Sequence, residues 1–399
     1  MNAPPPLSPL PYHREVRDYF KNEEPALWRW FEAARAKASY AEEARLSLLK
    51  STYRLTPEAH ADLYALCGDA AKALGVDAPI TLYQGQAGAG SNAALCFVPG
   101  EVHIILSGSL ASLLSPPEIT SVFGHELAHF VFYQIENGEF HLTDLILDAV
   151  TREPSAKTAH HETARRVRLH TEILADRGGA HAAQNLAATV AALVKVKTDF
   201  AQVDGLSYLA QADEIFSKSK VNTDARSHPE TYIRAHALSL WTKQAENSDA
   251  EIRALICDAP EIETLDLISQ QQLTFLTRRF FEQLLKPHWL QTDRVLAHAK
   301  LFFSDFRAAT EIDPTLIDDV SSSKHLLKDY FAYLLLDFAK IDPELEDVPL
   351  AHTLRWAEQL GIATHFEKLL TKELGVKTRE LTKLKPRIND LLSLAENAR

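Results

Sequence analysis

Several things are scarce in this chain, and each scarcity excludes something. Of 399 residues, three are cysteine: Cys67, Cys96 and Cys257. They are odd in number and far apart, so they offer neither a disulfide framework nor a cysteine metal site. They read as free thiols in a reducing compartment. Positive charge is in deficit: 42 Lys and Arg stand against 54 Asp and Glu, a formal net charge of −12. That balance disfavours nucleic acid, whose phosphates attract clustered cations, and anionic membrane surfaces. A long apolar run is missing too. The longest weakly apolar stretch, Ala180 to Val194, is interrupted by Gln184 and Asn185 and is too short to span a bilayer, so no integral membrane segment is expected. The proline-rich Met1 to Pro11 lacks a basic region followed by an apolar run, so it reads as an extended, poorly ordered arm and not as a secretory signal. A cytoplasmic location follows as the expectation. No internal repeat is visible.

What is present suffices for a real core and two domains: 46% of the residues are hydrophobic. Helical patterning dominates. Tyr12 to about Arg54 reads as two or three helices broken at Pro25, and Thr56-Pro57 opens another that ends near Gly75. Ile80 to Tyr83, Ala93 to Val98 and Val102 to Leu106 read as short strands, the last two joined by a turn at Pro99-Gly100. After Trp241 the helical pattern runs almost to the end, starting at a capping box, Ser248 to Glu251. The expected fold is mainly α with a small β-sheet (α+β). The expected domains are an N-terminal arm with helices (1–55), a central domain (56–245) and a helical C-terminal domain (246–399).

The chemistry concentrates in His125-Glu126-Leu127-Ala128-His129, which has the form H-E-x-x-H. Residues four apart share a helix face, so His125 and His129 can present two imidazoles to one metal ion. Glu126 lies within reach of a water molecule at that ion. Ser115-Pro116-Pro117-Glu118 supplies a capping box with proline at the first helical position, and Asn137-Gly138 supplies a stop. A catalytic zinc takes three protein ligands and keeps a position open. The third ligand is read as Glu172, in a second helix from about Ala164 to Arg177 closed by Gly178-Gly179. Asp176, one turn on, is placed to accept a hydrogen bond from a ligand imidazole and fix its tautomer. An acidic pair of this kind also pairs readily with arginine, here Arg166, Arg168 or Arg177. The remaining histidines, including His103, His141, His160, His161, His170 and His236, are read as ordinary structural or surface residues.

In these motifs the chain resembles the gluzincin-type zinc metallopeptidases that include the CAAX prenyl protease and the HtpX-like heat-shock proteases. Gly124 to His129 matches the family's metal helix. Glu172 to Arg177 matches its E-x-x-A-D-R segment. Ser91 to Ala94 and Gly100 to Leu106 resemble the preceding strand pair, and His228-Pro229 with Arg234 resembles the H-P-x-x-x-x-R block. Coverage is roughly residues 60 to 245. Two departures stand out: many family members are embedded in membranes, and the strand usually written N-A-F-A reads Asn92-Ala93-Ala94-Leu95 here.

The resemblance implies a zincin-like catalytic core flanked by helical regions, one Zn2+ per chain, and metal-assisted hydrolysis of peptide bonds in unfolded or flexible polypeptides. It implies Glu126 as general base and His228 as an oxyanion donor. Arg234 is expected to orient His228 or to hold the Glu172 helix. Asn92, Ala93 and Ala94 are expected on an edge strand that pairs with the substrate backbone. The alternative is an inactive zinc-binding scaffold that acts through a protein partner at its helical C-terminal domain. A third reading is zinc hydrolysis of a non-peptide amide. Tyr330 to Phe338 reads as an apolar, buried helix, and with Asp342 and Glu344 to Leu360 it faintly resembles the TerB-like helical domains. The N-terminal helices, the C-terminal bundle, or both are also expected to cover the cleft and keep the enzyme latent.

Overall fold

The computed structural model describes residues 7–35, 39–86, 90–218, 223, 227–243, 247–257, 262–321 and 325–398. The fold is mainly helical with one small mixed sheet. The chain divides into two compact units: Met1–Asp258 with Asp266–Ile268, and Ala259–Leu265 with Ser269–Arg399. No helix among the described residues is long and apolar enough to cross a membrane.

The first unit begins with three helices, α1 (Pro11–Asn22), α2 (Pro25–Arg35) and α3 (Ser39–Ser51). The arm before them does not lie loose over its described part. Pro9 and Leu10 are buried, Leu10 joins Leu169 and Ile173 in one apolar cluster, and Arg14 Nη1 donates to the Pro9 carbonyl at 2.6 Å. The expected disorder of Met1 to Pro11 is thus corrected for residues 7 to 11, and Met1 to Pro6 fall outside the described residues. Apolar burial outweighs the extended bias of the prolines here.

The sheet is built from β1 (Tyr53–Arg54), β2 (Ile80–Gln84), β3 (Asn92–Val98) and β4 (Glu101–Ser107), in the order β1-β2-β4-β3. β2 runs parallel to β4, while β3 runs antiparallel to it, from Asn92 opposite Ser107 to Val98 opposite Glu101. Pro99-Gly100 makes the tight turn, with Gly100 at φ +80°. The edge strands are therefore β1 and β3. Leu82, Val102, Ile104 and Leu106 form one face, which packs with Phe123 and Leu127 into a shared core. Thr56-Pro57 makes an isolated turn, and α4 (Ala61–Ala73) starts later than expected.

Next come α5 (Leu110–Leu113), α6 (Pro116–Gln134), α7 (Glu139–Arg152), α8 (Thr158–Ala183), α9 (Leu186–Thr198), α10 (Gly205–Lys218), α11 (Thr231–Thr242) and α12 (Ser248–Ile256). The capping box of α6 forms in part as expected: Ser115 N–H donates to Glu118 Oε2 at 2.7 Å. Ser248 to Glu251 makes no such box. Asn247, at φ +69°, takes the cap position, and its carbonyl accepts from the amides of Ala250 and Glu251. α12 belongs to the first unit, because Ile252 and Ile256 pack with Leu10, Leu169, Ile173 and Ala237.

One correction reveals how the site is built. Gly178-Gly179 does not end a helix; α8 runs through it to Ala183. These glycines lie where α8 crosses α6. A Cβ on Gly178 would fall 2.4 Å from Ala128 Cβ, one on Gly179 would fall 2.7 Å from the Ser121 carbonyl, and one on Gly124 would fall 2.5 Å from Ala182 Cβ. Close backbone approach outweighs the poor helix propensity of glycine. The apolar stretch Ala180 to Val194 is split between two helices. Gln184, at φ +50°, ends α8, and Asn185 caps α9 by accepting from Ala188 N–H.

The second unit comprises most of α13 (Leu267–Leu284), then α14 (Asp293–Phe302), α15 (Leu316–Ser321), α16 (His325–Ala339), α17 (Val348–Gln359), α18 (Ala363–Leu374), α19 (Thr378–Leu384) and α20 (Ile388–Asn397). Phe280, Phe281, Phe331, Phe338 and Phe366 are fully buried in its core. On α16 the residues Phe331, Leu334, Leu335 and Phe338 face inwards at helical spacing. Tyr333 and Asp337 are exposed, so the helix expected to be buried is amphipathic.

Candidate metal centre

α6 and α8 bring three side chains to one point. His125 Nε2 and His129 Nε2 are 3.3 Å apart. Glu172 reaches across from α8, with Oε2 at 3.6 Å from His125 Nε2 and Oε1 at 3.7 Å from His129 Nε2. Ligand atoms of the three residues all lie within 4.8 Å of one another, a spacing that can hold a metal ion. The glycine crossing makes this possible, since larger residues there would push Glu172 away from the imidazoles.

Around this trio lies a layer of anchoring groups. Asp176 Oδ1 sits 3.0 Å from His125 Nδ1, an arrangement that turns Nε2 towards the trio. Arg234, from α11, grips Asp176 with both nitrogens of its fork, its Nε donating to Oδ2 at 2.7 Å, and stands 3.5 Å from Glu172. Of the two roles expected for Arg234, holding the α8 carboxylates is the one seen. The arginines that might have claimed the acidic pair are engaged elsewhere: Arg166 with Glu162 and Asp266, Arg177 with Asp249, and Arg168 near Asp148. His228 is more exposed, yet its Nε2 lies 3.6 Å from Glu172 Oε2. Glu126 Oε2 accepts a hydrogen bond from the Leu95 N–H of β3 at 2.8 Å.

The electrostatics follow from burial and neighbours. Burial pulls His125 towards the neutral form, but the Asp176 hydrogen bond and the carboxylates of Glu172, Asp176 and Glu126 outweigh it and raise its pKa. Burial and the adjacent His125 hold His129 down to about 4, so it stays neutral. Burial pushes Glu126 above the usual carboxylate range despite His125. Burial opposes ionisation of Asp176 too, but the Arg234 guanidinium wins and lowers it to about 2. Glu172 is likewise lowered, because His125 and Arg234 outweigh its burial.

These residues fit a divalent cation. Among the described residues Glu126, Glu172 and Asp176 face one guanidinium, that of Arg234, and Glu172 Oε2 is a buried oxygen with no hydrogen-bond partner. A cation held by the imidazoles and Glu172 would satisfy that oxygen and offset the negative charge. Two imidazoles and a carboxylate form a donor set that zinc accepts.

The trio lines a cleft of about 900 Å3. Asn92, Ala93 and Ala94 form one side, as expected of the edge strand, and Ser227 to Thr231 another. None of α1–α3 contributes a lining residue among those described. Three features escaped the sequence reading. Tyr133 lines the cleft four residues beyond His129, with its hydroxyl donating to Asp144 at 3.0 Å; the spacing His125, His129, Tyr133 was the available signal. Ala192, Leu193 and Val196 of α9 make an apolar wall. Lys195 of the same helix is buried against Glu118 at 2.8 Å, tying that wall to the start of α6. The Leu95–Glu126 bond had no sequence signal, because it uses the backbone. Comparisons with protein-family models, with curated proteins and with solved structures find no match to this chain.

Proposed function

We propose that the first unit is a zinc-dependent endopeptidase that hydrolyses peptide bonds of unfolded or flexible polypeptides, with one zinc ion held by His125, His129 and Glu172. The observation that carries this reading is the convergence of those three side chains from two helices, with the Glu126 carboxylate beside them. The resemblance of the motifs to the gluzincin-type peptidases supports the same reading. When bound, the ion supplies Lewis acidity to the scissile carbonyl and brings the pKa of water towards about 7.

The chain's own groups do the rest. Leu95 N–H occupies Glu126 Oε2, which leaves Oε1 to accept the proton of the attacking water and later to pass it to the leaving amine. In this reading His228, whose Nε2 lies 3.6 Å from Glu172 Oε2, donates to the developing oxyanion. Asp176 and Arg234 keep His125 oriented. Leu95 N–H points away from β4, so the backbone groups of Ala93, two residues earlier, also face the open edge. There an extended peptide can add as a strand, which demands little of its side chains.

The test is elemental analysis of the purified chain beside cleavage assays on casein, short peptides and non-peptide amides. The wild type should carry one zinc and cleave casein. Glu126→Gln should keep the metal and lose turnover by about 100-fold or more, and His129→Ala should lose both. A chain that holds no divalent metal, or a Glu126→Gln variant as active as wild type, would overturn the proposal. Metal retained with no turnover on any substrate would favour the scaffold reading.

A further inference from the structure

The second unit has a cavity of its own, of about 750 Å3, a size that suits a ligand. It lies among the end of α13, the turn His288–Leu290, the start of α15, α17 and α20. Two indoles, Trp289 and Trp356, stand half-buried in its wall on either side of His352, with ring centroids 5.5 and 6.4 Å from the imidazole. His352 Nε2–H donates to the Leu284 carbonyl at 2.8 Å, so this ring is fixed and neutral.

The charges in the wall are unequal in their commitments. Asp313 is held by Arg279 at 2.7 Å, and Glu396 accepts the Trp289 indole N–H at 3.4 Å. Lys286 and Arg355 have no hydrogen-bond or ion-pair partner for their charged groups among the described residues. The positive charge of Arg355 is felt at His352. The cavity thus offers two uncommitted cations and two aromatic surfaces, while of its acids Asp313 is paired with Arg279 and Glu396 is exposed to solvent. An occupant that answers both carries a carboxylate on an apolar body. Arg355 and Ile312 are exposed at the rim, so the space opens outwards and admits the end of a longer chain. The amides of Gln359 and Asn389 line it as well and suit a peptide backbone.

We propose that this cavity binds the C-terminal end of a peptide whose last residue is aromatic or aliphatic, with the α-carboxylate at Lys286 and Arg355 and the last side chain against Trp289 and Trp356. The proposal does not rest on the hydrolytic reading, since every wall residue lies in the second unit.

The test uses the full chain carrying Glu126→Gln, so that no probe is consumed, and fluorescence anisotropy of an N-terminally labelled hexapeptide ending in phenylalanine. The free acid should bind, and its C-terminal amide should bind at least about tenfold more weakly. Arg355→Gln with Lys286→Gln should weaken the acid to the level of the amide. Trp289→Ala should weaken both forms alike, with Trp289→Phe retaining most of the affinity and circular dichroism verifying the fold of each variant. Equal binding of acid and amide overturns the proposal. So does binding that survives loss of both cations but falls with His129→Ala, which assigns the peptide to the cleft of the first unit. Displacement by hydrocinnamate at the concentration at which the unlabelled peptide displaces also overturns it, in favour of a small organic acid.

Discussion

The interiors of the two units are made differently. The first buries Glu118, Glu126, Arg166, His170, Asp176, Arg177 and Lys195 among its apolar side chains. The second buries a cluster of phenylalanines, and its buried polar side chains include only Thr277, Asp342, His352 and Thr353 among the described residues past Ile268. Buried ions are a poor source of stability, since desolvation consumes most of what pairing returns. Several of them, Glu126 and Asp176 among these, surround the candidate metal centre. The pair Asp176–Arg234 ties α8 to α11, and Glu118–Lys195 ties α6 to α9. The second unit has one charged feature of comparable interest, at its cavity, and there the cations lie at the surface.

The sharpest way to test this contrast is to break one pair. Asp176→Ala leaves Arg234 buried without its main partner and should cost about 3–5 kcal/mol in denaturant unfolding. It should also weaken zinc binding by about 10- to 100-fold. Replacing both partners, Asp176→Leu with Arg234→Met, should return most of the stability and none of the metal affinity. In the second unit Phe281→Ala should cost a similar amount, about 3–5 kcal/mol, through the cavity it leaves. Zinc affinity should then be unchanged, and a change would blur the distinction drawn here.

A smaller effect is expected at the helix crossing. Gly178→Ala places a methyl group 2.4 Å from Ala128 Cβ and should cost about 1–3 kcal/mol, with weaker metal binding as Glu172 is displaced. Gly68→Ala, at an exposed position of α4 with nothing within 4 Å of the new Cβ, should stabilise by about 0.5–1 kcal/mol. If both variants behave alike, the crossing does not set the site.

The smallest effect is a pH slope in the second unit. Burial pushes His352 down to about 4, so the folded state keeps it neutral while an unfolded histidine takes up a proton near its usual value. The unfolded chain therefore binds more protons between these two values. Stability is full above about pH 6.5 and falls as the pH drops towards 4, by at most about 1.4 kcal/mol per pH unit for this residue. His352→Gln should flatten the slope of unfolding free energy over pH 6.5 to 5.

Much of the site was legible because its chemistry follows helical spacing. His125 with His129, and Glu172 with Asp176, are each four apart, and His228 and Arg234 lie with them in the structure. The β3–β4 hairpin was legible from Pro99-Gly100 between alternating strands. What could not be read depends on distant partners. Gly178-Gly179 carries the local signature of a helix stop, and only the approach of Gly124 and Ala128 shows it to be a contact surface. Leu10 gives no sign in the sequence that Leu169 and Ile173 await it, so its arm reads as loose. Backbone donors such as Leu95 N–H are invisible to any reading of side chains.

The glycine crossing has one last implication. Two rods that meet along bare backbone have no compressible padding between them. The gap spanned by His125, His129 and Glu172 is thus dictated by rigid peptide geometry and leaves little play for side-chain repacking to absorb. Substitutions on the outward faces of α6 and α8 should leave that gap alone, whereas a single added methyl at the crossing resets it.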